Sequence, residues 1–188
     1  MADQDWVVAV FKCNQMDLRK AILDFHSFVK ELENVNSLHF LIRDRIGEKV
    51  ILSFRIMVDS EHRTIVASKV AYKLGTFLQK GDFAVNPEKR SSLAKYVAWD
   101  PDERLAKTGP KKFLKFCRVL EKMSELTLWI IKKRYFDSSD RVEAAHAMSW
   151  MLGCTEYGIL DTKHWEVGYY DRIEDKYYPY LKHEFQEK

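Results

Sequence analysis

The sequence predicts an α+β fold: a ferredoxin-like βαββαβ antiparallel sheet in residues 1–87, then a helical half in 88–188 with an aromatic-rich tail, packed together as one unit. Three observations predict it. Two neighbouring runs, 38–43 and 50–58, alternate with a period of two, the mark of strands with two different faces. Two helical stripes at spacings of three and four flank them. Short runs of β-formers stand before the first stripe and after the second.

In chain order, residues 6–11 (Trp-Val-Val-Ala-Val-Phe) read as the first strand. Asn14 is placed to cap a helix, with Asp17 in its first turn. Leu18, Ile22, Phe25, Val29 and Leu32 form the buried stripe, which ends near Asn34-Val35-Asn36. The hairpin follows, with a polar loop at 44–49. Leu38, Phe40 and Ile42 share a wholly apolar face with Val50, Leu52, Phe54, Ile56 and Val58. The other face carries His39, Leu41 and Arg43 beside Ile51, Ser53, Arg55 and Met57. Asp59 or Ser60 is placed to cap a second helix with Val66, Val70, Leu74 and Phe77 inward, and Gly81 to stop it. Phe83-Ala84-Val85 is a short strand. Beyond it the pattern turns helical: a short segment at 91–98, then a long basic helix opening at Thr108-Gly109-Pro110 and running to about Arg134. Val142, Ala145, Ser149 and Leu152 suggest one more.

Composition excludes several classes. The 188 residues are 46% hydrophobic and 31% charged, which suits a packed core under a charged surface. A net charge of +3 is too small to argue for nucleic acid by itself. Cys13, Cys117 and Cys154 are an odd number with neither disulfide nor zinc spacing, as expected of a reducing, cytoplasmic compartment. The polar, acidic start is no signal peptide, and no apolar run is long enough for a membrane span. No phosphate-binding loop, dinucleotide fingerprint or nucleophile elbow occurs, so neither a cofactor nor a metal is expected. Glu143-Ala-Ala-His146 matches half of a di-iron pair, but such a site needs two copies.

The polar residues of the second sheet face are the candidate site. Arg43 and Arg55, with Ser53 between them in sequence, suit a clamp for phosphate, carboxylate or an acidic peptide. His39 on the same face suits a general acid or base. The expected partner is therefore an anionic small molecule or peptide, with a homo-oligomer also open. Two other readings stay open: a non-catalytic interaction or assembly module, and a nucleic-acid binder using the basic helix 107–134. The third strand lacks the glycine and aromatic pattern with which RNA-recognition domains stack bases.

Leu38-His39-Phe40-Leu41-Ile42-Arg43 resembles the "WFFIRY" strand of the lantibiotic dehydratase C-terminal domain, also found alone in thiopeptide-type bacteriocin biosynthesis. Val50-Ile51-Leu52-Ser53-Phe54-Arg55 is similar to its "HLRLR" strand, with Ser53 in place of one arginine and Arg55 matching the other. The Arg-Tyr-Gly-Gly motif that follows the sheet in that family is absent. The resemblance covers some twenty residues and implies elimination from, or cycloaddition on, a modified peptide.

Overall fold

The computed structural model describes residues 4–85 and 110–133 together with Val142 and His146; of 43–45 and 110–116 only the backbone is described. The element order is β1 (Gln4–Asn14), α1 (Leu18–Lys30), β2 (Val35–Ile46), β3 (Lys49–Asp59), α2 (Arg63–Gly75), β4 (Phe83–Val85) and α3 (Pro110–Lys132). The four strands form one antiparallel sheet in the order β2-β3-β1-β4, the ferredoxin-like arrangement. None of the described helices is long and apolar enough to cross a membrane.

The period-two pattern lands in the expected register. Phe40 pairs with Phe54, and Phe54 in turn with Ala9, so the apolar residues of three strands lie in rows on one face. On it α1 lays Leu18, Ile22, Phe25 and Val29, and α2 lays Val66, Val70 and Leu74. Phe54 is the hub. Its ring lies 4.6 Å from Phe25 edge-on, 5.3 Å from Phe40 and 5.8 Å from Phe11, both near-parallel. Such pairs add to the area they bury.

The structure corrects four local expectations. The strands of the hairpin run on to Ile46 and resume at Lys49, so Gly47-Glu48 alone make the turn instead of a loop at 44–49. Gly47 has φ of 60°, and a positive φ at the first turn position is the type II′ pattern, which matches strand twist. Asn14 does not cap α1: a 3-10 turn, Gln15–Asp17, intervenes, and Asn14 Nδ2 donates instead to the Asp17 carboxylate at 3.3 Å. Another 3-10 turn, Ser60–His62, separates Asp59 from α2, whose start has no side-chain cap. Finally, α2 stops at Gly75, well before Gly81, so Phe77 leaves the helical stripe and is half exposed. The expected helices at 91–98 and beyond Val142, and the tyrosine-rich tail, lie outside the described residues.

β2 is an edge strand, and its outward backbone groups need partners. α3 supplies one. The Phe40 N–H donates to Ser124 Oγ at 3.0 Å. Ser124 has a single hydroxyl proton, and the 2.9 Å contact to the Leu120 carbonyl takes it in preference to the 3.4 Å contact to the Phe40 carbonyl. His146 Nε2 lies 3.4 Å from that Phe40 carbonyl, and its ring stacks on the Phe40 ring. Further along, Arg19 of α1 donates from Nε to the Ile131 carbonyl near the end of α3, at 3.1 Å. α3 is thus held to both the sheet edge and α1.

Two outcomes are expected. Phe54→Ala should destabilise the fold by about 3–5 kcal/mol, read from urea denaturation, because it opens a cavity among three rings. Ser124→Ala should cost about 1–3 kcal/mol in the same measurement, because it strands the buried Phe40 N–H.

Candidate functional site

The second face of the sheet is built by the same alternation. Register puts His39, Arg55 and Val8 in one row across β2, β3 and β1. Leu41, Ser53 and Val10 form the next row, and Ser37, Met57 and Trp6 the row on the other side. His39 and Ser53 are fully buried, and Arg55 is only 2% exposed. A half-open sheet would leave an arginine in water; here it is inside.

Two side chains form part of the cover. The Trp6 indole meets the His39 ring edge-on with centroids 5.6 Å apart. They stand on strands separated by β3, so their contact reaches across the strand that carries Arg55. Cys117 of α3 packs with Trp6, Val8, Val10 and Ile51. α3 therefore straddles the sheet edge: Cys117 reaches the second face, while Leu128 and Ile131 join the main core.

The electrostatics follow from burial. His39 is held well below the usual imidazole range, first by desolvation and then by the Arg55 charge. It is therefore a neutral ring at physiological pH. Burial pushes the Cys117 thiol up to about 12, with Arg55 pulling the other way. Cys117 is a packed thiol, not a nucleophile.

The structure brings three of the four sequence-derived site residues together: His39, Ser53 and Arg55. Arg43 stands apart. It falls in β2 between Ile42 and Arg45, where the register shifts, and is four residues from His39, the partner of Arg55. At the rise of a strand that is about 13 Å along β2. The two arginines are not opposite each other, and a clamp using both would have to span that distance.

Ser53 is notable among these. Its Oγ is buried and has no hydrogen-bond partner among the described residues. Buried hydroxyls are normally satisfied, so a hydroxyl left over in the row beside a buried guanidinium marks the polar centre of this face. His146, the histidine of the Glu-x-x-His motif, sits at the β2 edge against Phe40. Among the described residues no group of three or more potential metal-ligating side chains is found. The basic helix has a mixed exposed face where it is described: Lys122 Nζ pairs with Glu125 at 2.7 Å.

Sequence reading missed Trp6 and Cys117 as parts of this face, and Ser124 as the bond that holds α3 to its edge. Ser124 carries a faint signal, a hydroxyl beside the apolar stripe of α3. Trp6 and Cys117 carry none, since both read as ordinary core residues.

No protein-family model matches the chain, and no curated protein matches it. Two solved structures are similar to it. TsrL is 14% identical with a TM-score of 0.40, over 92% of this chain and 55% of TsrL, so the chain spans about half the length of that protein. Protein MK0293 from Methanopyrus kandleri AV19 is 15% identical with a TM-score of 0.29, over 67% of this chain and 92% of that one.

A pH dependence follows from two histidines. His39 is depressed as described. His26, on α1, is lowered from 6.5 to about 4, first by burial and then by Lys30 and Lys132, with Glu125 opposing. The folded-state values lie below the unfolded ones, so the unfolded chain takes up these protons first. Their contribution is present above about 6.5 and is lost as pH falls toward about 4 for His26. Urea midpoints should therefore fall across this window, and His26→Gln should flatten part of the slope. Imidazole NMR should show His39 still neutral at pH values where an exposed histidine is charged.

Proposed function

We propose that the chain binds an anionic group, a carboxylate or phosphate borne by a small molecule or peptide, at the Arg55, Ser53 and His39 patch, with Arg43 at its far end. The observation that carries this reading is the unsatisfied Ser53 hydroxyl one row from the buried Arg55. Ser53 Oγ can donate to an anion while the guanidinium supplies charge and a planar pair of donors. His39, being neutral, adds a donor or acceptor without adding charge. In a buried site each such bond is stronger than in water.

Burial of the patch favours a small anion over an assembly partner. A small ion or a peptide end reaches buried groups through local opening of a cover, whereas a protein surface of standard size does not. The paired charges on α3 give the nucleic-acid reading no comparable support.

The resemblance of β2 and β3 to the lantibiotic dehydratase C-terminal domain supports a peptide as the carrier of the anionic group. In that form of the reading the protein is a peptide-modifying enzyme, and His39, neutral and beside a fixed cation, is the acid–base group.

The test is titration of the full chain with inorganic phosphate and with short glutamate-containing peptides, followed by amide NMR. Saturable shifts at Ser53 and Arg55 are expected. Ser53→Ala should weaken binding about tenfold, the size of one hydrogen bond to a charged group. Arg55→Met should abolish it, and Arg43→Ala should weaken it without disturbing the fold. Binding unchanged in Ser53→Ala and Arg43→Ala, or no binding of any of these ligands, would refute the reading.

A further inference from the structure

A cleft of about 580 Å³ lies where β1 ends and β3 begins, between the first turns of α1 and the chain that leaves α2. Its volume is in the range of small-molecule sites, roughly 300–1,000 Å³. It shares no residue with the Arg55 patch.

Its charges are arranged rather than scattered. Lys12 of β1 and Lys49 of β3 meet on one carboxylate, that of Asp82, at 3.7 Å and 3.0 Å. An ammonium has three donors, so each lysine keeps donors to spare after Asp82 has taken its share. Asp82 thereby holds two lysines in place and leaves the group of three with one positive charge. Lys20 of α1 and Lys73 of α2 add two more cations to the lining. Asp17, in the 3-10 turn before α1, and Asp24 of α1 offset them. The whole lining keeps one net positive charge, which suits a single negative charge better than a polyphosphate.

The apolar part of the cleft is equally specific. Phe77 is half exposed there because α2 has already stopped at Gly75, and it rests edge-on against Phe11 at 6.4 Å. Leu78, Ala21 and Phe25 complete an apolar wall beside the lysines. A large aromatic left in water next to oriented ammonium groups is the combination that holds an amphipathic anion: the ring packs and the charge is fixed.

We infer that this cleft is a second binding site, separate from the sheet face, for a small monocarboxylate with an apolar body. The carboxylate sits on the spare donors of Lys12 and Lys49, and the apolar body lies against Phe77.

Phenylacetate is a suitable probe, with the neutral phenylacetamide as its control. In amide NMR of the full chain, phenylacetate should give saturable shifts at Lys12, Asn14, Lys49 and Thr76, and phenylacetamide should give weaker ones. Lys49→Gln should weaken phenylacetate binding about tenfold, the size of one charge-assisted hydrogen bond. Phe77→Ala should also weaken it, whereas Lys69→Gln, on the exposed side of α2, and Ser53→Ala, on the other face of the sheet, should leave it unchanged. Equal binding of acid and amide, or an unaffected Lys49→Gln protein with a native spectrum, would overturn the assignment. So would shifts confined to residues outside the cleft.

Discussion

The contact on which the rest depends is the one between the Phe40 backbone and α3. A ferredoxin-like sheet has two bare edges and, with both helices on one side, one bare face. Here a single helix deals with an edge and part of that face. Ser124 accepts the Phe40 N–H at 3.0 Å, which fixes α3 beside β2. Given that placement, the helical period carries Cys117 over the second face and Leu128 and Ile131 under the first. The Arg19 bond to the Ile131 carbonyl then ties the same helix to α1. Without the edge contact only apolar packing and the Arg19 bond would hold α3 across the sheet, and without the straddling helix the second face would lose its Cys117 cover.

That burial changes the chemistry of the second face. Arginine remains charged in proteins, so its burial cannot be relieved by losing the proton. Histidine has the other option and takes it: His39, opposite Arg55 in register, is pushed toward its neutral form. The pair therefore carries one positive charge, not two, and a repulsion that would burden the central strands is avoided. The same charge partly offsets the effect of burial on Cys117. Burial is the larger cause at both neighbours, and the one guanidinium adds to it at His39 and opposes it at Cys117.

Much of the fold was legible because alternation and helical spacing are strong signals when both faces of an element differ. The strand order, the inward residues of α1 and α2, and the three-residue β4 all follow from such patterns. What failed was punctuation. Asn14 and Asp59 are good capping residues, yet 3-10 turns separate each from its α-helix, because a cap preference does not encode the one-turn offset. Gly81 looked like a helix stop, but it sits at φ of 103° in the turn before β4, and α2 had ended at Gly75. The charges of Asp44 and Arg45 read as loop, although their backbone continues β2 to a two-residue turn. On the site, His39, Ser53 and Arg55 could be found from parity alone. The distance between Arg43 and Arg55 could not, because it depends on the register of β2 against β3 and on the irregularity after Ile42.

The same misread boundary explains why the cleft near Asp82 was invisible in the sequence. Phe77 continues the three-and-four spacing of Val66, Val70 and Leu74, so a longer α2 would bury it in the core. Ending the helix at Gly75 turns that aromatic outward into the space where Lys12 and Lys49 converge on Asp82. Lys12 and Lys49 stand on different strands, Phe77 and Asp82 share the loop between α2 and β4, and neither lysine lies close in sequence to the other or to that loop. Only the folded sheet brings the end of β1 next to the start of β3, and only the early stop of α2 leaves an apolar ring exposed beside them. The cleft is therefore a product of topology and one helix terminus. The Arg55 patch, by contrast, was already written in the alternation of two strands.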